Sequence, residues 1–156
     1  MLKKNDESEY VKTIQKVPRK SMKKIDDRIY NDSDCCRSIW ICLDANMGFA
    51  GIIASIKGRH PCCYITFPGI ERLNGVDDER IQGLHVHGGF TFYGKQPFID
   101  SGSDIWLGWD YAHYNDYIYN KRGVLDPTSG EKAWTMKELI EEIHKVKEQL
   151  KGVLRC

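Results

Sequence analysis

The chain of 156 residues contains no long hydrophobic run. A membrane-spanning helix needs about 20 consecutive apolar residues, and the N-terminal stretch Met1–Glu7 is not followed by the apolar segment of a secretory signal. We therefore expect a cytoplasmic protein that does not contact a membrane. Its length and its hydrophobic share of 41% fit one globular domain with an ordinary core.

A large charge of either sign is also missing, since the formal net charge is +1. Binding to bulk nucleic acid depends on many cationic side chains, so we exclude bulk nucleic acid as a partner. The basic bias is confined to the N-terminus, where residues 1–34 are predicted to form a basic helical extension. Within it, 6–17 and 21–30 show helical apolar spacing. A single α+β domain is predicted over 35–156.

Several familiar motifs are absent. The six cysteines show no Cys-x-x-Cys spacing, which favours reduced thiols over a zinc site or a disulfide framework. There is no Gly-x-x-x-x-Gly-Lys-Ser/Thr loop, no Gly-x-Gly-x-x-Gly turn and no His-Glu-x-x-His helix. Neither His85 nor His87 has a threonine two residues later, as a two-repeat His-x-Thr phosphodiesterase requires. Ordinary nucleotide-binding enzymes are thereby disfavoured.

The pattern that is present predicts a mainly antiparallel sheet. Runs of β-branched and aromatic residues predict strands over 38–43, 48–56 and 62–67. Thr135 and Glu138 form a capping-box signature that begins an amphipathic helix extending to about residue 151. The fold class expected is α+β, with this helix packed on one face of the sheet and one or two short N-terminal helices. Residues 117–130 are predicted to form a long surface loop.

The polar residues concentrate between Leu84 and Asp116. Strict alternation predicts a strand over 84–93, with one apolar face and one polar face. The apolar face comprises Leu84, Val86, Phe90 and Phe92, and the polar face comprises His85, His87 and Thr91. A second strand over 104–111 is predicted to pair with the first as an antiparallel hairpin. Asp110, His113 and Asp116 follow at steps of three and share a face if the chain turns helically there.

Three interpretations of this cluster stay open. Each histidine can donate to an aspartate in a purely structural network. His85 and His87, two residues apart on a strand, can instead turn toward one metal ion, with Asp110 or His113 as further ligands. The third interpretation, which we adopt, is a ligand pocket without metal or other cofactor.

The pocket hypothesis depends on flat and cationic side chains around the cluster. Aromatic rings stack on nucleobases, and the turn at Arg59 and His60 and the amides at Gly88 and Gly89 suit phosphate oxygens. The predicted ligand-binding residues are Arg59, His60, His85, His87, Gly88, Gly89, Thr91, Trp106, Trp109, Asp110, Tyr111, His113 and Asp116. If the protein is an enzyme, the predicted catalytic residues are His87, His113, Asp110 and Asp116.

Three stretches carry a family resemblance. They are Gly58-Arg59-His60-Pro61, His87-Gly88-Gly89-Phe90-Thr91-Phe92, and the run from Trp106 to Asp116, which reads Trp-x-Gly-Trp-Asp-x-x-His-x-x-Asp. Together with the C-terminal helix, they resemble a family of small uncharacterised proteins carried by phages and prophages. The chain departs from the family pattern by an inserted Arg59, by Phe90 for Leu and by Trp109 for Phe. His85 lies outside the shared motif.

The resemblance implies a setting and no mechanism. Small cytoplasmic phage proteins often counter host defences by capturing or destroying a nucleotide-derived signal, so by analogy we expect a homo-oligomeric protein that sequesters such a molecule. The alternative is a small phosphodiesterase or glycohydrolase that cleaves it with the same His/Asp cluster. A second alternative is an inhibitor that docks on a host defence protein.

Overall fold

The computed structural model describes residues 23–24, 26, 28–30, 37–56, 58–95, 105–119, 124–125 and 130–154. These residues form an α+β fold in which a long C-terminal helix packs against one face of a five-stranded antiparallel sheet. The predicted fold class is confirmed.

The elements follow one another in the order of the chain, with two helices and seven strands among the described residues. They are β1 (Lys23–Lys24), β2 (Arg37–Asp44), β3 (Phe49–Ile56), β4 (His60–Thr66), α1 (Glu79–Gln82), β5 (Phe92–Gly94), β6 (Trp106–Asp110), β7 (Val124–Leu125) and α2 (Met136–Val153). The large sheet has the order β2-β3-β4-β6-β5, and β1 pairs with β7 separately. The three strands predicted before residue 70 are confirmed.

The central strands are buried on both faces. Ile53, Cys63 and Leu107 belong to the core cluster shared with α2, whereas Ile52, Tyr64 and Trp106 form a second cluster on the opposite face. This distribution explains why β3 and β4 read as nearly continuous apolar runs and lack polar alternation.

Helix α2 supplies the largest cover of the sheet. Thr135 and Glu138 form the predicted capping box, and the buried side chains of the helix recur at three- and four-residue intervals: Met136, Leu139, Ile143, Val146 and Leu150. A Cβ on Gly51 of β3 would lie 2.6 Å from the Ile143 side chain, so this glycine permits the close approach of helix and sheet. Among the helices of the described chain, none combines the length and apolarity of a membrane span.

The N-terminal segment differs from its predicted helix in the part described. Lys23–Lys24 forms a strand, and the chain turns at Arg28 and Ile29. Ile29 and Tyr30 are 1% exposed and belong to the core cluster beneath α2. Tertiary packing and the hydrogen bonds of Asp26 to Arg28 thus outweigh a weak helical pattern. The helix predicted over 6–17 lies outside the described residues.

The predicted strand over 84–93 is wrong for most of its length, because only Phe92–Gly94 pairs with β6. Residues 84–91 instead run along α2, where the His85 amide donates to Gln149 and the His87 amide to Glu142. Phe90 packs on Trp109 beneath α2, whereas Phe92 contacts Tyr64 on the opposite face. The predicted hairpin is therefore confirmed only near its loop, and the predicted single apolar face is lost.

Two further loop predictions change in detail. The predicted surface loop over 117–130 begins with Tyr117, which is fully buried, and contains the strand β7. Its residues 120–123 and 126–129 lie outside the described part.

Candidate functional site

The site is built around the carboxylate of Asp116, whose side chain is only 4% exposed. One carboxylate oxygen is 2.7 Å from His87 Nε2 and accepts the His113 backbone N–H at 3.0 Å. The other accepts the Trp134 indole N–H at 2.9 Å. A buried carboxylate is costly unless it is paired and hydrogen-bonded, and these three contacts meet that requirement.

Local structure brings these groups together from three parts of the chain. A tight turn over 113–116 closes with a hydrogen bond from the Asp116 amide to the His113 carbonyl, and Asn115 in this turn has a φ of 72°. The bridge between Asp116 and Lys132 then places Trp134, just before α2, beside the turn. The site thus depends on the junction of β6, the 84–91 segment and the start of α2.

The His87 imidazole is held on several sides. It stacks on Tyr111, with ring centroids 4.6 Å apart and planes 7° apart, and its edge meets Trp134 at 4.9 Å. Its side chain is 25% exposed. Because Nε2 faces Asp116, Nδ1 is the nitrogen left for chemistry, and the carboxylate favours the tautomer with its proton on Nε2.

His113 occupies the other side of the site, with its ring centroid 5.5 Å from that of His87. Its Nε2 lies 3.4 Å from an oxygen of Asp110, yet this buried nitrogen has no partner with hydrogen-bond geometry in the described structure. Asp110 also accepts the Thr91 hydroxyl at 3.0 Å and the Ala112 amide at 3.1 Å. Each imidazole therefore has its own carboxylate.

Glycine is required where the 84–91 segment passes His113. Gly88 has a φ of 67°, and a Cβ there would overlap the His113 imidazole. Gly89 also has a positive φ, of 79°, but a Cβ there would meet none of the described residues within 4 Å. The first glycine allows contact between two site segments, whereas the second only permits the turn.

Arg59 and His60 lie at the β3–β4 turn. Arg59 is exposed, and its carbonyl accepts the Tyr119 amide. Burial lowers the pKa of the half-buried His60, and Arg59 acts in the same direction, while the charges of Asp110 and Asp116 oppose the shift. His60 is thus within electrostatic reach of both site carboxylates.

The aromatic residues expected to stack on a ligand lie in the core. Trp106, Trp109 and Tyr111 are 0–1% exposed. The Trp109 indole donates to the Tyr111 hydroxyl, and burial raises the pKa of that hydroxyl. Their position beneath the site, and not at its surface, corrects the stacking role predicted for them: Tyr111 serves as the surface on which His87 rests.

His85 is separated from the cluster. Both its backbone groups are bonded to the Gln149 side chain, and its own side chain lines a shallow groove with His144, Lys145 and Glu148. The alternation that was to aim His85 and His87 at one ion does not exist, because this segment is not a strand. Within the described ranges, no three His, Cys, Asp or Glu side chains are arranged to hold a metal ion.

Two contacts of the site were not predicted from the sequence, and one pairing differs. The carboxylate that holds His87 is Asp116, whereas we expected Asp110 from the hairpin register. Trp134 and Glu142, which bond Asp116 and the His87 amide, were not among the predicted site residues. Trp134 directly precedes the capping box, which is the one sequence signal that marks it, and Glu142 has none.

Comparisons with protein-family models, with curated proteins and with solved structures give no match to this chain. The function is therefore argued from the chemistry of the site.

Proposed function

We propose that this protein is a small hydrolase that uses His87 and His113 as an acid–base pair. The observation that carries the proposal is that two partly exposed imidazoles lie 5.5 Å apart, each beside its own carboxylate. Acid–base hydrolysis needs one group that removes a proton from water and one that protonates the leaving oxygen. Two histidines in unequal surroundings suit these opposite roles.

His87 is the proposed base. In its neutral form it donates Nε2–H to Asp116, so that Nδ1 carries the lone pair that accepts a proton from the attacking water. Asp116 then stabilises the imidazolium, as the buried carboxylate of a Ser-His-Asp triad does. Trp134 fixes the orientation of that carboxylate through its indole N–H.

His113 is the proposed acid. Protonated beside Asp110, it donates a proton to the oxygen that leaves as the bond to phosphorus or to the anomeric carbon breaks. The water oxygen forms the new bond, and the proton held by His87 returns to solvent, which restores both histidines for the next turnover. Acid–base groups of this kind contribute about 10²–10⁴-fold to a rate.

The proposed substrate is a nucleotide-derived signalling molecule with a phosphodiester or glycosidic bond, met in the cytoplasm of a phage-infected host. The exposed Arg59 beside His60 supplies a cation for a phosphate. Sequestration of the intact molecule is the competing proposal. The burial of Trp106, Trp109 and Tyr111 removes the stacking surface on which sequestration was argued.

Turnover of candidate substrates separates these proposals. Cyclic dinucleotides and cyclic or conjugated ADP-ribose are incubated with substoichiometric protein and analysed by chromatography. We expect multiple turnovers for one of them, and a loss of at least about 10²-fold in His87→Ala and in His113→Ala. His85→Ala is the matched control and should retain activity, because His85 faces the groove on α2 and not Asp116.

Tight binding of one intact molecule per site, without product, would refute the hydrolase and favour sequestration. A protein that neither binds nor cleaves any of these molecules would refute both, leaving the inhibitor of a host protein. Equal losses in His85→Ala and His87→Ala would contradict the assignment of the site.

A further inference from the structure

The outer edge of β2 is unusual for a sheet edge. β2 is eight residues long and stands at one end of the sheet order, and nowhere in the described chain does another strand pair with its outer side. Such an edge presents unpaired backbone N–H and C=O groups, which promote pairing with another chain. Proteins usually protect edges with lysine, proline or very short strands, and β2 has none of these devices except a bulge near Asp44.

Exposed apolar side chains accompany this edge. Ile39 is 42% exposed and Trp40 is 52% exposed, although their side chains point to opposite faces of the sheet. Met47, in the turn after β2, is 43% exposed. These are three of the five large hydrophobic residues exposed in the described structure, the others being Tyr114 and Ile118. The apolar surface is therefore concentrated at the end of the sheet that also offers free backbone groups.

We propose that β2 pairs with β2 of a second copy of this chain, giving an antiparallel dimer with one continuous ten-stranded sheet. A twofold axis perpendicular to the sheet reverses the strand and keeps each face on its own side. Placing that axis at Trp40 sets Trp40 against its own copy, Ile39 against Ile41, and Ser38 against Cys42. Aromatic and β-branched cross-strand pairs of this kind stabilise antiparallel sheets.

Charge favours an antiparallel partner copy. The strand begins with Arg37 and ends with Asp44, so antiparallel pairing brings the cationic end of one strand to the anionic end of the other. A parallel arrangement would place like charges together. The stripe of α2 is an unsuitable alternative for self-association, because Leu139, Ile143, Val146 and Leu150 are fully buried against the sheet of the same chain. This inference is independent of the proposed hydrolysis.

The molar mass in solution, measured by size-exclusion chromatography with light scattering, tests the dimer. We expect twice the chain mass of 18.0 kDa for the full chain. Trp40→Lys should give the monomer, because it sets two lysines against each other at the axis. Tyr114→Lys, at a residue 94% exposed and outside β2, should stay dimeric.

A cross-link tests the register without relying on disruption. Ser38→Cys should form a disulfide with the exposed Cys42 of the other copy under mild oxidation, giving a covalent dimer on a non-reducing gel. The double variant with Cys42→Ser should not. Thermal unfolding of Trp40→Lys checks that the fold survives the loss of its contact with Trp106. A monomeric full chain, a dimeric Trp40→Lys protein, or a Ser38→Cys protein that fails to cross-link would overturn the proposal.

Discussion

The close contact of Gly88 with His113 shows how one residue determines the spacing of the site. A φ of 67° favours glycine, and the missing Cβ leaves room for the imidazole that would otherwise be displaced. The unpaired Nε2 of His113 is held at this contact, beside Asp110. A shift of His113 would therefore alter its distance from His87.

Gly88→Ala should lower both stability and turnover. The positive φ alone costs alanine about 1 kcal/mol, and the overlap with His113 adds to it. Urea unfolding measures the loss of stability, and turnover is measured at a temperature where the variant is folded. Gly89→Ala is the matched control: it has a similar φ but open space, so it should lose about 1 kcal/mol and retain turnover. Equal activity in the two variants would show that His113 does not need its present position.

At the scale of elements, the start of α2 links stability to the site. Thr135 Oγ1 accepts the Glu138 amide at 3.2 Å, and the Glu138 carboxylate accepts the Thr135 amide at 3.3 Å. Trp134, immediately before this cap, donates to Asp116. The first turn of the helix therefore positions the residue that orients the carboxylate.

Thr135→Ala should lower the free energy of unfolding by about 1 kcal/mol, the usual effect of losing an N-cap. Thr135→Ser keeps the hydroxyl and should stay close to the wild type. Denaturant titration of both variants provides the measurement. The prediction fails if Thr135→Ser is destabilised as much as Thr135→Ala, since the hydroxyl would then be irrelevant.

At the scale of the whole molecule, Asp26 joins the N-terminal segment to a helix more than a hundred residues later. Its carboxylate accepts the Met136 amide at 3.0 Å, at the positive end of α2, and a salt bridge from Arg28. Burial raises the pKa of Asp26, but the hydrogen bonds from Arg28 and Met136 outweigh burial and leave the pKa lowered.

This lowered pKa gives a definite acid dependence. The unfolded carboxyl, with a pKa near 3.9, binds protons before the folded one does, so the contribution of Asp26 is complete above that value and is lost as the pH falls through the folded pKa. Asp26→Asn should cost about 1 kcal/mol at neutral pH and should reduce the dependence of stability on pH below about 4. Unfolding titrations across this range test it, with the exposed Asp77→Asn as control. An unchanged acid profile in Asp26→Asn would contradict the role assigned to this contact.

Strong periodic patterns predicted the elements of this fold. The strands before residue 70 and the helix from Met136 follow from β-branched runs and from apolar spacing closed by a capping box. The alternation over 84–93 was misleading, because Gly88 and Gly89 turn the chain with positive φ and Gln149 and Glu142 bind its amides. No local pattern encodes hydrogen bonds between residues more than fifty positions apart.

The sequence by itself determined the residue types of the site and the sheet and helix that hold them, since both depend on local periodicity. Only the tertiary structure decided the pairings: His87 with Asp116, His113 with Asp110, His85 apart from both, and Trp106, Trp109 and Tyr111 in the core. The physical reason is that pairing depends on which segments pack together around α2. Burial of the remaining apolar surface settles that packing, and the spacing of polar residues along the chain does not.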